Sequence, residues 1–336
     1  MEAESIDAAA GSYLSLGTLP VLVYDHGLDP ANQQITAFAI GDQSLHTSAV
    51  PELADNYYHV TPHGWVLLVA PGPSPRTRLW DPRSGESVPL PAMECELPDD
   101  CKCYLSDAPA APSCVVLVLH KVEPKLLCCR VGDGRWSEHE YDIGEVKIPP
   151  PPRKIVIGQT AAVGSKFYFH ETAKLGVIDF STAAAPEFSF IDCPRVEFLD
   201  GSNICRDYMV ESRGELFFVY LYLKGYTPEI MTVRVYRMDL SSAPTLMEVD
   251  QVGDRVFLLS YPNSQLLCSA SKYGLKGNRV YFTHNPTGEL DGGLLGIYDM
   301  EDQSVETLKP CPRMEELFRG PFWMLPTSTT DQQVTR

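Results

Sequence analysis

The sequence predicts an all-β fold: a single β-propeller of antiparallel four-stranded blades, six in number. Three observations carry this. Apolar runs of strand length, bounded by Gly and Pro, recur along the chain with almost no helical period between them. The runs come in pairs, and the pairs return every 45 to 65 residues or so, close to the period of a propeller blade. The stretch from Asp207 to Leu259 reads as one complete blade. In it Tyr208–Glu211 is a short strand, Arg213-Gly214 a turn and Glu215–Leu223 an apolar strand. Thr232–Asp239 then alternates apolar and basic residues, and Leu246–Val249 follows a Ser-Ser-Ala-Pro turn.

The first members of the six pairs are Leu19–Tyr24, Trp65–Ala70, Val115–His120, Lys166–His170, Glu215–Tyr220 and Arg279–Thr283. The second members are Thr36–Ile40, Thr77–Asp81, Leu126–Val131, Leu175–Phe180, Val233–Leu240 and Leu295–Met300. Turn chemistry supports the pairing. Asp81-Pro82-Arg83-Ser84-Gly85 joins a third strand to a fourth, as do Gly132-Asp133-Gly134 and Asp299–Gln303. The ring is expected to close by pairing of the two chain ends, with Gly17–Tyr24 and the segment after Val305 as candidates. A two-sheet sandwich is the alternative, but six similar units fit radial repetition better; for the propeller, five or seven blades are the alternative counts.

Residues 1–15 are expected to be a flexible acidic leader, 16–325 the propeller and 326–336 a disordered polar tail. The four prolines Pro149 to Pro152 demand extended backbone. They read as a stiff connector between the third and fourth units, with an SH3- or WW-docking peptide as the alternative.

The 336 residues are 44% hydrophobic, and the net charge is −17. Residues 1–150 carry 21 acidic and 9 basic side chains, against 23 and 18 in the rest. Such a surface repels phosphate backbones, and no compensating basic patch is visible; Arg153-Lys154 and the pair Lys272 and Lys276 are the densest spots. Nucleic acid is therefore not an expected partner. Neither is membrane, since the longest apolar runs, Cys114–Leu119 and Leu216–Leu223, fall far short of the roughly 20 residues of a membrane helix. The first residues have no signal-peptide pattern, and Asn285 is followed by Pro286, which spoils a sequon. A cytoplasmic or nuclear location is expected. Ten cysteines then read as buried free thiols, several within or beside apolar runs.

From Ser165 onward the chain resembles the plant domain-of-unknown-function-295 family, F-box-associated, kelch-like β-propellers. The segments are SKFYF (Ser165–Phe169), LGVIDF (Leu175–Phe180), YMVESRGELFFV (Tyr208–Val219), VDQVGDRVFLL (Val249–Leu259), GLKGNRVYFT (Gly274–Thr283), GIYDMEDQSVE (Gly296–Glu306) and PFWMLPT (Pro321–Thr327). The clear match covers residues 155–327; WVLLVAPGP and TRLWDPRSGESVPLP extend it loosely into the first half. The resemblance implies a propeller that holds a substrate protein while an F-box holds the Skp1–cullin ligase. Only some 15 residues precede the first apolar run and they lack a helical period, so an F-box is not expected here and Skp1–cullin binding is in doubt.

No chemistry stands out. Cys95, Cys101 and Cys103 cluster, and Cys128-Cys129 are adjacent, but the spacing is not that of zinc knuckles. His59 and His63 flank Pro62 and cannot share a helical face. No GxSxG elbow or phosphate loop is present; Gly274–Gly277 and Gly292-Gly293 read as hairpin turns. Asp133-Gly134-Arg135-Trp136 lacks the spacing of a sialidase box. Asp99-Asp100 and Glu315-Glu316 read as solvated neighbours. Trp65, Trp80, Trp136 and Trp323 read as core between blades, with interface anchors as the alternative. Asp254 and Arg255 read as a turn ion pair, with the lining of a recognition surface as the alternative. No catalytic, metal or cofactor-binding residue is assigned. The expected function is protein binding, with a basic-faced partner favoured by the acidic surface; the alternatives are a hydrolase using the channel and a decayed family copy.

Overall fold

The computed structural model describes residues 19–25, 34–94, 97–98, 100–111, 113–147, 150–171, 173–181, 185–227, 229–241, 244–260, 264–284, 294–310 and 320–325. They form six blades around one axis. Blade one holds β1 (Val21–Asp25), β2 (Gln34–Ala39) and β3 (Leu45–Ala49). The short helix α1 (Pro51–Ala54) leads to blade two: β4 (Tyr57–Val60), β5 (Val66–Val69), β6 (Thr77–Trp80) and β7 (Ser87–Leu90). Blade three is β8 (Cys101–Leu105), β9 (Val115–His120), β10 (Lys125–Arg130) and β11 (Ser137–Glu140). A small ribbon, β12 (Glu145–Val146) and β13 (Arg153–Lys154), intervenes before blade four: β14 (Thr160–Val163), β15 (Lys166–Glu171), β16 (Lys174–Asp179) and β17 (Glu187–Asp192). Blade five is β18 (Ser202–Ser212), β19 (Glu215–Lys224), β20 (Ile230–Asp239) and β21 (Thr245–Glu248). Blade six holds β22 (Arg255–Ser260), β23 (Ser264–Ser269), helix α2 (Ala270–Tyr273), β24 (Arg279–His284), β25 (Leu294–Asp299) and β26 (Ser304–Leu308). The last strand, β27 (Phe322–Met324), joins blade one.

All six predicted pairs are the two central strands of a blade: β1–β2, β5–β6, β9–β10, β15–β16, β19–β20 and β24–β25. Closure is by the chain ends. Phe322–Met324 pairs antiparallel with Val21–Val23 and is the innermost strand of blade one. The innermost strands β4, β8, β14, β18, β23 and β27 meet in turn around the axis. Tyr58 on β4 and Phe322 on β27 complete the circle with rings 5.6 Å apart.

Among the described residues the core is six clusters, one per blade interface. Leu22, Tyr24, Leu258 and Tyr281 join blades six and one, and Val23, Tyr58, Leu68 and Trp80 join one and two. Leu67, Cys103 and Val118 join two and three, and Leu117, Phe167 and Ile178 join three and four. Leu175, Met209 and Phe218 join four and five, and Val219, Phe257 and Phe282 join five and six. Both faces of each sheet are therefore buried, which is why the central strands read as continuous apolar runs with weak alternation.

Blade six departs from the four-stranded plan. Its order is β23-β22-β24-β25-β26, with β22 and β24 parallel. The hairpin β22–β23 places β23 innermost, and α2 carries the chain back so that β24 can follow β22 in parallel. The proline segment differs from a bare connector in being clasped by β12 and β13, with Pro150-Pro151 cis; Ile148 and Pro149 lie outside the described residues. So do the acidic leader at 1–15 and the tail at 326–336.

Candidate functional site

The innermost strands run in the same sense, so the propeller has two distinct mouths. At the mouth formed by their C-terminal ends lies a cavity with about 770 Å³ of empty space, its opening included. Each blade contributes: Leu325, His63, Tyr104, Thr160, Met209 and Gln265, from blades one to six in order, line it. Arg83, Glu211 and Arg213 stand at its rim.

The cavity does not run through. Gln159, just before β14, accepts at Oε1 from Lys102 Nζ on β8 (3.2 Å) and from Gln265 Nε2 on β23. Blades three and six face each other across the axis, so this chain of side chains bars the channel. Burial pushes the Lys102 ammonium down to about 8; Lys121 acts in the same direction, and Asp207 and Asp100 oppose it.

The rim groups are held by the fold. His63 Nε2 lies 3.2 Å from the Leu105 carbonyl. Glu211 accepts from the Gly214 N–H at 2.7 Å, closing the Arg213-Gly214 hairpin, in which both residues have positive φ (53° and 79°). Arg83 pairs with Asp81 at 2.7 Å. Asp254 and Arg255 do not pair with each other as the turn reading supposed. Asp254 accepts from Ser269 Oγ and Ser271 N, capping α2, and its carboxyl is held below the usual range chiefly by Ser269. Arg255 reaches instead into blade five: to Glu215, to Ser212 Oγ (2.9 Å) and over the Phe217 ring (5.3 Å). Asp254 also meets Arg213 of blade five at 3.7 Å, so both neighbours help to join blades five and six, through different partners.

The opposite mouth is dominated by blade five. β18, β19 and β20 have 11, 10 and 10 residues, against four to six in the central strands elsewhere. Their Arg213-Gly214 end is level with the cavity rim, so the surplus extends toward the other mouth, by roughly 15 Å at about 3.3 Å per residue, with Leu221, Tyr222 and Leu223 still buried and only the tip exposed. Phe218, Tyr220 and Tyr222 stack in a row along this arm at 6.4 and 6.2 Å, and Tyr236 meets Tyr220 edge-on at 5.6 Å. At its tip Tyr226 is 82% exposed. Val122, in the β9–β10 turn, is 74% exposed. Phe198, in the connector before β18, and Tyr57, which opens β4, are exposed at the same mouth. The sequence shows the strands of blade five but starts two of them late, at Tyr208 and Thr232, where β18 begins at Ser202 and β20 at Ile230; the run of alternating aromatics in Leu216–Leu223 is the available signal.

The tryptophans lie where a core reading puts them. Trp80 and Trp323 are fully buried and Trp65 nearly so. Trp136 packs at the interface of blades two and three and donates from Nε1 to the Pro91 carbonyl at 2.9 Å. Cys101, Cys103, Cys128 and Cys129 are buried in apolar clusters, and Cys101 Sγ lies 3.7 Å from the His59 ring nitrogens. Among the described residues no three His, Cys, Asp or Glu side chains gather as a metal site. Asp100 pairs with Lys121. Cys95, Asp99, Asn285, Pro286, Gly292, Gly293, Glu315 and Glu316 lie outside the described residues. Among the described residues, no helix is long and apolar enough to cross a membrane.

Fold and site together define a six-bladed β-propeller closed by its own chain ends, with a barred channel and one projecting blade. The KIB1-4 beta-propeller family profile matches residues 37–299, and the chain belongs to that family. This match takes in most of the first half, where the residue-level resemblance was loose. Among solved structures, a functionally unknown protein from Desulfotomaculum acetoxidans is similar at 11% identity and TM-score 0.39, over 93% of this chain and 91% of that one. Apo AztD from Citrobacter koseri is similar at 11% identity and TM-score 0.38, over 86% and 81%. A DUF4784 family protein from Bacteroides caccae gives 10% and 0.38, over 92% and 74%. Among curated proteins there is no significant match.

Proposed function

We propose that this propeller is a protein-binding module whose contact surface is the mouth where blade five projects. One observation carries this: Tyr226 and Phe198 of blade five are exposed at that mouth, as are Val122 of blade three and Tyr57 of blade two, and blade five is stiffened by stacked aromatics. Exposed aromatics on a rigid support are the usual anchors of protein interfaces, since they bury much area at little entropic cost. The net charge of −17 favours a partner with a basic face. The resemblance to F-box-associated propellers supports a finer version, in which the bound protein is a ubiquitin-ligase substrate and the site of action is cytoplasmic or nuclear.

Affinity purification of the tagged chain from its native tissue tests both levels, run beside Tyr226→Ser and Phe198→Ser. A partner retained by the wild type and lost from both variants supports the proposed surface. Retention unchanged in both sinks it. Skp1 and cullin in amounts near that of the bait would support the ligase version, and their absence beside a retained partner would remove it. The hydrolase alternative has less behind it: His63, Arg83 and Glu211 at the cavity are each engaged in holding strand ends.

A further inference from the structure

Lys102 is the charged residue of the bar across the channel. It is the second residue of β8, the innermost strand of blade three, and is only partly buried. Tyr104, two residues further on, lines the cavity and Lys102 does not, so Lys102 stands about 7 Å nearer the blade-five mouth, at roughly 3.3 Å per residue, and is reached from there. Among the described residues its one hydrogen-bond partner is the neutral amide oxygen of Gln159, at 3.2 Å, and no carboxylate pairs with it. By contrast Lys121, Lys125, Lys154, Lys166, Lys224 and Lys276 each meet a carboxylate, at 2.6 to 3.6 Å.

This setting favours the neutral amine, which is the nucleophile. A carboxylate holds a lysine protonated, and a neutral amide does so only weakly. Lys121 follows two residues after Leu119, the cross-strand partner of Lys102, so the two side chains share a face of the sheet and the charge on one opposes the charge on the other. Asp207 on β18 and Asp100 act the other way, and burial outweighs them. The neutral amine keeps an N–H for Gln159 and has its lone pair free. The same surroundings select the electrophile. Asp207 and Asp100 repel an anion, and burial penalises a charged product. The bar closes the channel behind the amine, which favours a small reagent. A small aldehyde is uncharged and leaves an uncharged product.

We propose that Lys102 is a covalent modification site, forming an imine with small uncharged aldehydes that enter by the blade-five mouth. The amine lone pair adds to the carbonyl carbon, and the carbonyl oxygen leaves as water with both amine protons, so that C=N replaces C=O. Nothing is oxidised or reduced. The neutral imine has no N–H, so the bar loses its hold on blade three and Gln159 keeps only its bond to Gln265. This goes beyond protein binding and is tested on the chain by itself, so the two stand or fall separately.

Reductive labelling of the full chain with propanal and cyanoborohydride, read by peptide mass mapping, tests it. Lys166, 44% exposed but paired with Asp179 at 2.7 Å, is the internal reference. At about pH 7.5 a lysine titrating at about 8 is roughly one quarter neutral, and an ordinary one about one part in a thousand. Lys102 should therefore label about tenfold faster than Lys166, its weaker basicity and poorer access taking back the rest of the difference. Its rate should level off above about pH 8, while that of Lys166 climbs on to about pH 10. In urea the two should label alike. Gln159→Glu, which puts a carboxylate beside the amine, should slow Lys102 about tenfold and leave Lys166 unchanged. Labelling of Lys102 no faster than Lys166 in the folded chain overturns the proposal. So does an advantage that persists in urea, a rate that climbs with that of Lys166, or an unchanged rate in Gln159→Glu. The wild-type rates decide the matter even where the variant fails to fold.

Discussion

The outer end of the Phe169 ring on β15 occupies the place of a Cβ at Gly176, its cross-strand partner on β16. A Cβ at Gly176 would overlap that ring. Blade six repeats the device with Phe282 on β24 and Gly296 on β25. A glycine inside a strand is a weakness, and an aromatic laid over it restores packing. The space is the ring's, and both rings are fully buried.

Gly176→Ala should therefore lower stability by about 2 kcal/mol, by forcing Phe169 from its place. Gly296→Ala should do the same through Phe282. Gly134→Ala, where a Cβ meets nothing within 4 Å, is the control and should change little. Urea midpoints of the three variants check this. A neutral Gly176→Ala would contradict the packing account.

Blades five and six are tied by Arg255, whose guanidinium bonds Glu215 and Ser212 and lies over Phe217. Glu215 also receives Arg237 at 3.1 Å. Arg255 is the more buried of the two arginines, with its side chain 18% exposed against 43%. A double-mutant cycle of Glu215→Ala with Arg255→Ala should give a coupling of about 1–2 kcal/mol, and that with Arg237→Ala less than about 0.5. Equal couplings would show that burial does not set the strength.

Lys102 carries a penalty that depends on pH. Its ordinary value is 10.5, and burial lowers it to about 8 in the fold. Below pH 8 the ammonium is charged in both folded and unfolded chains, and the fold bears the full cost of burying it. Above pH 10.5 the amine is neutral in both and the cost is gone. The shift corresponds to about 3 kcal/mol, and the bond to Gln159 returns about 1 kcal/mol of it. Lys102→Met should therefore raise stability by about 2 kcal/mol at pH 7, with the gain fading between pH 8 and 10.5. Thermal melts across that range, wild type against variant, read it directly. A gain constant with pH would mean that the buried charge is not its source.

The eight described cysteines are free, and all but Cys205 are buried. Burial pushes Cys128 up to about 11, Cys205 and Cys268 up to about 12, and Cys103 well above the usual thiol range. Thiolate is the reacting form, so these should react slowly with a disulfide reagent at pH 8 in the native chain and quickly in denaturant. Native-state labelling of Cys103 or Cys268 as fast as in the unfolded chain would contradict their burial.

Much of this molecule was legible in its residues. Apolar runs of strand length, Gly- and Pro-bearing turns and a repeating interval determined that the chain is all-β, that it has six blades and which strands form each blade's centre. These signals are local, since a strand buried on both faces must be apolar along its length. They also placed Trp80 and Trp323 in the core and closure at the chain ends. What lies across the axis was not legible. Lys102, Gln159 and Gln265 come from three blades, and nothing within a few residues of any of them marks it as a partner of the others. The same holds for Arg255, which turns from its neighbour Asp254 to Glu215 of the next blade, and for β23, inserted innermost in blade six. Local sequence determined the blades because backbone pairing and turn geometry are settled between near neighbours. The tertiary structure alone decided the bar, the cavity and the projecting mouth, because closing the ring brings together side chains that are far apart in the chain.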